Sequence, residues 1–419
     1  MNAGRKFYQM MYASAQAYAR WDLETSLSIL RSRKRLLILL ALALPAILFS
    51  VAVAADQLPD ILGGKKAYSP AFYTPGIFLV SILIGLCAGL ITGCIGAGGG
   101  FIITPALMSA GIKGILAVGT DLFHIFAKAI MGTTVHKKLG NVSVGLAVAF
   151  LVGSGIGVTG GGVINRALYE ANPVLSDTFI SVIYVVLLGF LGIYAMSDFM
   201  KQRKAGGGGD AHGGPASSGE GLPAKLQGMK IPPMIPFDQD LVPGGKKISG
   251  LFVALCGAVV GFMAAIMGVG GGFLTFPMFV YILGVSSFTT VGTDILQIIF
   301  TAGYASITQY AIYGFIFYTL AMGMLLGSLV GIQVGALTTK VVPGIYIRGF
   351  YATAILAGFV NRLFALPGKL TEMEILSLSP GVCNFLTQIG NFGFFIAVGF
   401  FGFWVIGAFI KNLSGLKEG

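Results

Sequence analysis

Three side chains at helical spacing are the first residues in this sequence that could move a proton. Asp121, His124 and Lys128 fall at i, i+3 and i+7, which lines them along one helical face. Histidine titrates near neutral pH and a buried lysine can give up its charge, so such a face could relay protons; it could equally be a neutralised polar seam joining two helices. A second stripe, Asp294, Gln297 and Thr301, repeats the spacing with a single ionisable group. Each Asp closes a Gly-Thr-Asp triplet, Gly119-Thr120-Asp121 or Gly292-Thr293-Asp294, within an apolar segment. At membrane depth a carboxylate is a functional candidate by default; beside an interface it is a helix cap. Both readings stand, and both put the Asp near the start of a helix.

The other candidate is a broken helix, present twice. Gly96-Ala97-Gly98-Gly99-Gly100-Phe101 and Gly268-Val269-Gly270-Gly271-Gly272-Phe273 share one pattern, and Pro105 and Pro277 follow at the same offset. Glycines there permit unusual backbone angles and let a ligand approach the main chain. A helix restarting at Phe101 or Phe273 aims the positive, amide-rich end of its dipole at the gap, which holds an anion without a buried cation. An isolated glycine string would read instead as a close-packing surface; duplication with a following proline favours the break. The substrate-contact candidates are therefore Gly96, Gly98, Gly99, Gly100 and Phe101, then Gly268, Gly270, Gly271, Gly272 and Phe273, with Thr120 and Thr293 beside them. Asp121, Asp294, His124, Lys128 and Gln297 are the candidates for proton coupling. No catalytic residue, metal site or cofactor is expected. Cys87, Cys94, Cys256 and Cys383 lack metal-ligand spacing and read as structural thiols.

What must position these groups is a set of membrane helices. The 419 residues are 55% hydrophobic and 10% charged, with a mean hydropathy of +0.86, against roughly 25% charged in soluble chains. Apolar runs recur near the ~20 residues that ~30 Å of hydrocarbon requires, and backbone in that solvent must satisfy itself, as helices do. The alternating ~10-residue segments of a transmembrane barrel are absent. The expected fold is all-α integral membrane: two homologous units with glycine-rich helix breaks, plus an extra N-terminal and an extra C-terminal span.

Residues 1–35 end in Arg31-Ser32-Arg33-Lys34-Arg35 and read as a basic interfacial arm. A first span follows at 36–55; its Val51-Ala52-Val53-Ala54-Ala55 resembles a peptidase site, but the leader is too long and a retained anchor is expected. Repeat 1 covers 76–200, with apolar segments at 76–95, 101–112, 114–138, 142–166 and 178–200. A Gly-, Pro- and Ser-rich stretch at 201–247 reads as a flexible cytoplasmic linker. Repeat 2 covers 248–366, and a last span lies at 384–411. Basic residues crowd the arm and the linker, which places both in the cytoplasm and accounts for the net charge of +11 without nucleic acid. An even number of crossings then separates arm from linker, so with the first span each repeat crosses an odd number of times and the two are expected to be inverted. Lesser signals are Gln333, the His136-Lys137-Lys138 loop, and Arg362 beside Asn361, which near a helix end is expected to snorkel to the interface.

The duplicated G-x-G-G-G-F with its Pro, the repeated G-T-D and the two-unit layout resemble the sulfite exporter TauE/SafE family of membrane permeases over about 76–366. The resemblance implies transport of sulfite, sulfonates or related sulfur anions, and carries over no family-wide catalytic residues; the long linker departs from the family pattern. The expected function is a secondary transporter exporting a small sulfur-containing anion from the cytoplasmic (inner) membrane, driven by membrane potential, proton coupling or both. An anion channel or uniporter, or an importer, remains open, as does the oligomeric state. No Walker motif points to ATP, and no H-E-x-x-H or G-x-S-x-G points to a hydrolase; an enzyme is not expected. The partners are the small anion and the lipid bilayer.

Overall fold

Length and apolarity together separate the helices able to cross a bilayer from the others. A computed structural model of the protein describes residues 60, 63–67, 74–95, 99–136, 143–204, 222–238, 245–338, 342 and 344–411. The first unit contains α1 (Pro75–Ile95), α2 (Gly100–Ser109), α3 (Gly114–His136), α4 (Val144–Ala171) and α5 (Pro173–Lys204). The linker region supplies α6 (Leu222–Gly228) and an antiparallel pair, β1 (Met234–Phe237) and β2 (Lys246–Ser249). The second unit contains α7 (Gly250–Met267), α8 (Gly272–Pro277) running on as a wider π turn to Leu283, α9 (Ser287–Tyr304) running on likewise to Ala311, α10 (Tyr318–Thr338) and α11 (Gly344–Glu372); α12 (Pro380–Lys411) follows. Among the described residues seven helices, α1, α4, α5, α7, α10, α11 and α12, are long and apolar enough to span. The chain is a multi-pass helical membrane protein. With ten residues, α2 rises only ~15 Å, about half the hydrocarbon thickness.

Capping explains two boundaries that apolarity alone places wrongly. The segments expected at 142–166 and 178–200 extend to Ala171 and back to Pro173, leaving Asn172 as the whole connection. Asn172 Oδ1 accepts from Val174 N at 2.8 Å, and proline at the first helical position gives up a donor that would have no intrahelical partner. The polar residues there look like a loop, yet they belong to helix ends.

Glycine faces then decide which helices pair. Gly85, Gly89 and Gly93 on α1 meet Gly327, Gly331 and Gly335 on α10 so closely that a Cβ on Gly89 would lie 2.8 Å from Ser328 Cα. Gly257 and Gly261 on α7 meet Gly153, Gly157 and Gly161 on α4 in the same way, a Cβ on Gly261 falling 2.7 Å from Ser154 Cα. Lipid offers no hydrophobic drive between helices, so small residues that admit backbone-to-backbone packing supply the attraction. Thus the first helix of each unit is lodged against the fourth helix of the other, the two partners running parallel. The equivalent helices meet antiparallel: Gly189 packs on Phe359 while Gly349 packs on Phe199 between α5 and α11, and Gly119 faces Tyr310 while Gly303 faces Phe126 between α3 and α9 with its extension.

The 201–247 stretch is not a uniform flexible linker. α5 continues to Lys204, and 222–238 and 245–249 fold and dock: Phe237 and Ile248 are buried, and Gln227 Nε2 donates to Leu283 O at 2.8 Å. Asp238 accepts from Ser286 N at 2.9 Å and from the hydroxyls of Ser286 and Thr289 at 2.6 Å each, so its carboxylate caps the start of α9. The interfacial arm at 1–35, the first span at 36–55 and the middle of the linker lie outside the described residues.

Candidate functional site

At the first break the chain reverses. Gly99 has φ +67, and a Cβ there would come 2.8 Å from Ala88 O and 2.9 Å from Thr92 Oγ1, so the chain folds back along α1 before α2 begins. α2 and α3 then form an antiparallel hairpin, with Thr104 opposite Asp121 and Gly100 beside Ile125. At the second break Gly268, Gly270 and Gly271 have φ +78, +69 and +95, left-handed values that glycine adopts without a steric penalty. This break inserts into the first unit's hairpin. A Cβ on Gly268 would meet Thr104 Oγ1 at 2.7 Å and Val118 Cα at 2.9 Å, and one on Gly270 would meet the Ile125 side chain at 2.6 Å. Gly100 in turn lies against the second break, its would-be Cβ 3.0 Å from Val269 Cα. The two breaks therefore adjoin at the centre of the molecule, and in this conformation Gly99, Gly100 and Gly268 to Gly272 are packed and buried. Phe101 is buried edge-on against Tyr351 with ring centroids 5.6 Å apart. Gly96 and Gly98 lie outside the described residues, as does the Phe273 side chain.

The first polar stripe faces inward. Asp121 lies seven residues beyond the start of α3 and Asp294 seven beyond the start of α9, so neither caps its helix. Asp121 and His124 have no solvent exposure at all. Thr104 Oγ1 donates to Asp121 Oδ2 at 3.0 Å, His124 Nε2 lies 2.9 Å from Ser328 Oγ, and Ser328 Oγ donates to Gly85 O at 3.0 Å. His124 Nδ1 and Asp121 Oδ1 stand 3.7 Å apart, each without a hydrogen-bond partner among the described residues. One turn on, Lys128 Nζ reaches Thr92 Oγ1 at 3.4 Å.

In the second unit the stripe forms a closed ladder. Gln297 Nε2 donates to Asp294 Oδ1 at 2.6 Å and to Thr275 Oγ1 at 3.0 Å, Thr301 Oγ1 donates to Gln297 Oε1 at 3.1 Å, and Ser154 Oγ lies 3.0 Å from Thr301 Oγ1. Thr120 and Thr293 act across the units: Thr120 Oγ1 accepts from Phe317 N at 2.9 Å, just before α10, and Thr293 Oγ1 accepts from Ser143 N at 3.1 Å, at the cap of α4.

Several participants escape a reading by charge and glycine. Ser154 and Ser328 become visible once Gly153 and Gly327 are aligned, since each serine follows its glycine in the fourth helix. Thr104 and Thr275 fall one position out of register in the repeat, which hides their common role. Arg362 does not snorkel. It is 2% exposed, and its guanidinium donates to Asn361 Oδ1 at 2.7 Å, Ser109 Oγ at 2.7 Å and Pro105 O at 3.4 Å, so it satisfies the carbonyl end of α2. Arg166, likewise buried, donates to Gln309 O and Oε1 and lies over the Tyr313 ring.

Residues 81–362 match the family model described as sulfite exporter TauE/SafE. The chain is similar to two proteins of Bacillus subtilis (strain 168): the probable membrane transporter protein YjnA, 26% identical over 61% of this chain and 87% of that protein, and the probable membrane transporter protein YunE, 25% identical over 62% and 87%. It is also similar to the probable membrane transporter protein MJ0441 of Methanocaldococcus jannaschii, 23% identical over 47% of this chain and 59% of that protein. No solved structure matches.

Proposed function

Since the chain belongs to the sulfite exporter TauE/SafE family and is a membrane transporter, we propose that it exports a small sulfur-containing anion, sulfite or an organosulfonate, through a site formed where its two glycine breaks adjoin. The observation that carries this reading is the approach of Gly100, at the start of α2, to Val269, three residues before the start of α8, which sets the two glycine breaks side by side. Helix starts present amide donors and a positive dipole end, the feature that accepts an oxyanion without a lysine or arginine. Gly99, Gly100, Gly271 and Gly272 contact the anion on this reading, and Thr120 and Thr293 brace the units around it.

The antiparallel meeting of α5 with α11 and of α3 with α9 supports units inverted about an axis in the membrane plane. Alternating access is then a rocking of α1 with α10 against α4 with α7, because each glycine-lined pair moves as one body. The packed breaks are a closed state, and the anion enters as the halves separate. Lys201, Arg203 and Lys204 end α5 at the side that carries the linker, which supports a cytoplasmic linker in the cytoplasmic membrane. Export suits the membrane potential, since an anionic charge leaving a negative interior gains ~2.3 kcal/mol per 100 mV.

Counterflow of radiolabelled sulfite into proteoliposomes tests the reading. The expected result is saturable exchange by the wild type and its loss in Gly272→Ala, whose methyl at the start of α8 meets only side-chain ends, Ile298 Cδ1 at 2.7 Å and Asp294 Oδ2 at 3.3 Å. Unchanged exchange by well-folded Gly272→Ala protein overturns the site.

A further inference from the structure

The two polar stripes occupy equivalent places, but only one is complete. In the second unit a permanent N–H of Gln297 fills the space beside Asp294 Oδ1. In the first unit His124 stands at that position, and the corresponding space lies between His124 Nδ1 and Asp121 Oδ1, 3.7 Å apart and both unpartnered. The tautomer follows from the neighbours. Ser328 has one hydroxyl hydrogen, and it is directed to Gly85 O, so His124 Nε2 carries the hydrogen that joins it to Ser328 Oγ. Asp121 Oδ2 already accepts from Thr104. In the neutral imidazole, Nδ1 therefore turns a lone pair towards a carboxylate oxygen that also offers only lone pairs. Leaving two buried acceptors unpaired costs ~1–3 kcal/mol each, and the second unit demonstrates that the scaffold can fill the gap with glutamine.

We propose that the space between Asp121 Oδ1 and His124 Nδ1 is the transporter's proton site, loaded with one proton in each transport cycle. The proton arrives from water, forms the Nδ1–H bond, hydrogen-bonds to Oδ1, and leaves to water on the other side as the two halves rock. This coupling role rests on the carrier reading above; the proton site itself does not.

The surroundings support a charge that changes here. Facing the pair are Thr104 from α2, Ser328 from α10 and Tyr184 from α5. Lys128 on α3 interacts electrostatically with both members, and Arg362 of α11 interacts with Tyr184 and donates to Pro105 O, next to Thr104. α7 brings Gly268 to Thr104, and α9 brings Gly303 to Phe126. Each proton bound in this space makes the stripe one unit more positive. Ile125, beside this pair, touches both Gly100 and Gly270, so that charge appears next to the glycine breaks. It favours anion binding there, and proton and anion cross together, so that dianionic sulfite leaves with one net negative charge, which the membrane potential favours, and a monoanionic sulfonate leaves as a neutral pair.

Two measurements on the full-length protein test this. In detergent, 15N NMR of labelled histidine, with the His124 signal identified by its loss in His124→Gln, is followed from pH 5 to 9. The expected result is one protonation step at Nδ1, absent from Asp121→Asn. In proteoliposomes, anion efflux and proton efflux are recorded together with sulfite and with methanesulfonate, whose own charge does not change in this range. The expected ratio is about one proton per methanesulfonate, falling to background in His124→Gln while that variant, which copies the second unit, remains folded and flux becomes independent of pH. A His124 ring in one protonation state throughout, or undiminished proton flux in His124→Gln, overturns the proposal. A titrating His124 in a wild type that carries neither anion supports the proton site and refutes the sulfur-anion reading instead.

Discussion

Ser154 and Ser328 hold the same place in the fourth helix of each unit, and each reaches into the polar stripe of the opposite unit. Ser328 Oγ lies 2.9 Å from His124 Nε2, and Ser154 Oγ lies 3.0 Å from Thr301 Oγ1. The symmetry of position hides an asymmetry of consequence. Ser328→Ala strips His124 of its sole described partner, whereas Ser154→Ala leaves Thr301 bonded to Gln297. Losing the partner of a buried polar group costs ~1–3 kcal/mol. Thermal unfolding in detergent should therefore show a larger drop in Tm for Ser328→Ala than for Ser154→Ala; equal drops would mean that His124 finds another partner.

The glycine faces make a sharper contrast. A Cβ on Gly89 runs into the α10 backbone at Ser328, while one on Gly155 has nothing within 4 Å. Gly89→Leu must push α1 away from α10 along its length, and overpacking of this kind costs ~1–3 kcal/mol or more. Size-exclusion profiles should show aggregated Gly89→Leu and monodisperse Gly155→Leu. A monodisperse Gly89→Leu protein would refute the pairing of α1 with α10.

How much of this was legible beforehand depends on what local sequence can encode. The breaks were legible because left-handed backbone at Gly268, Gly270 and Gly271 demands glycine, and the duplicated strings announce it. The half-length α2 was legible from Gly99 and the run's brevity. The exchange of helices between units was not: Gly85 and Gly89 declare a small-residue face, but nothing in them says whether α4 or α10 will fill it. Arg362 misled for a related reason, since its helix position is local and the Pro105 carbonyl it satisfies is not. The closed ladder at Gln297 and the open one at His124 differ by one residue type, yet the difference appears only when Ser328 and Thr104 are in place.

Thr120 and Thr293 should behave as a matched pair. Each oxygen accepts a backbone N–H of the other unit, Phe317 N at 2.9 Å and Ser143 N at 3.1 Å. Valine preserves shape and removes the acceptor. Thr120→Val and Thr293→Val should each lower Tm, by ~1–3 kcal/mol of stability, and the two losses should add, because the struts lie on different helix pairs. A double variant no less stable than either single one would refute independent struts.

One carboxylate ties the linker's folded part to the start of α9. Asp238 accepts from Ser286 N, Ser286 Oγ and Thr289 Oγ1 at the start of α9, and it sits at φ +52 at the end of β1. Alanine removes all three acceptor contacts and the negative charge that favours a helix N-terminus, a loss of ~0.5–2 kcal/mol. α9 carries Asp294, Gln297 and Thr301, so the cap ties a segment outside the bundle to the second polar stripe. Hydrogen exchange should speed up in Asp238→Ala over 234–237 and 246–249 and over the first turn of α9, while α1 and α10 keep their protection. Exchange unchanged at α9 would show that Ser286, which also accepts from Thr289 N at 3.2 Å, caps the helix without Asp238.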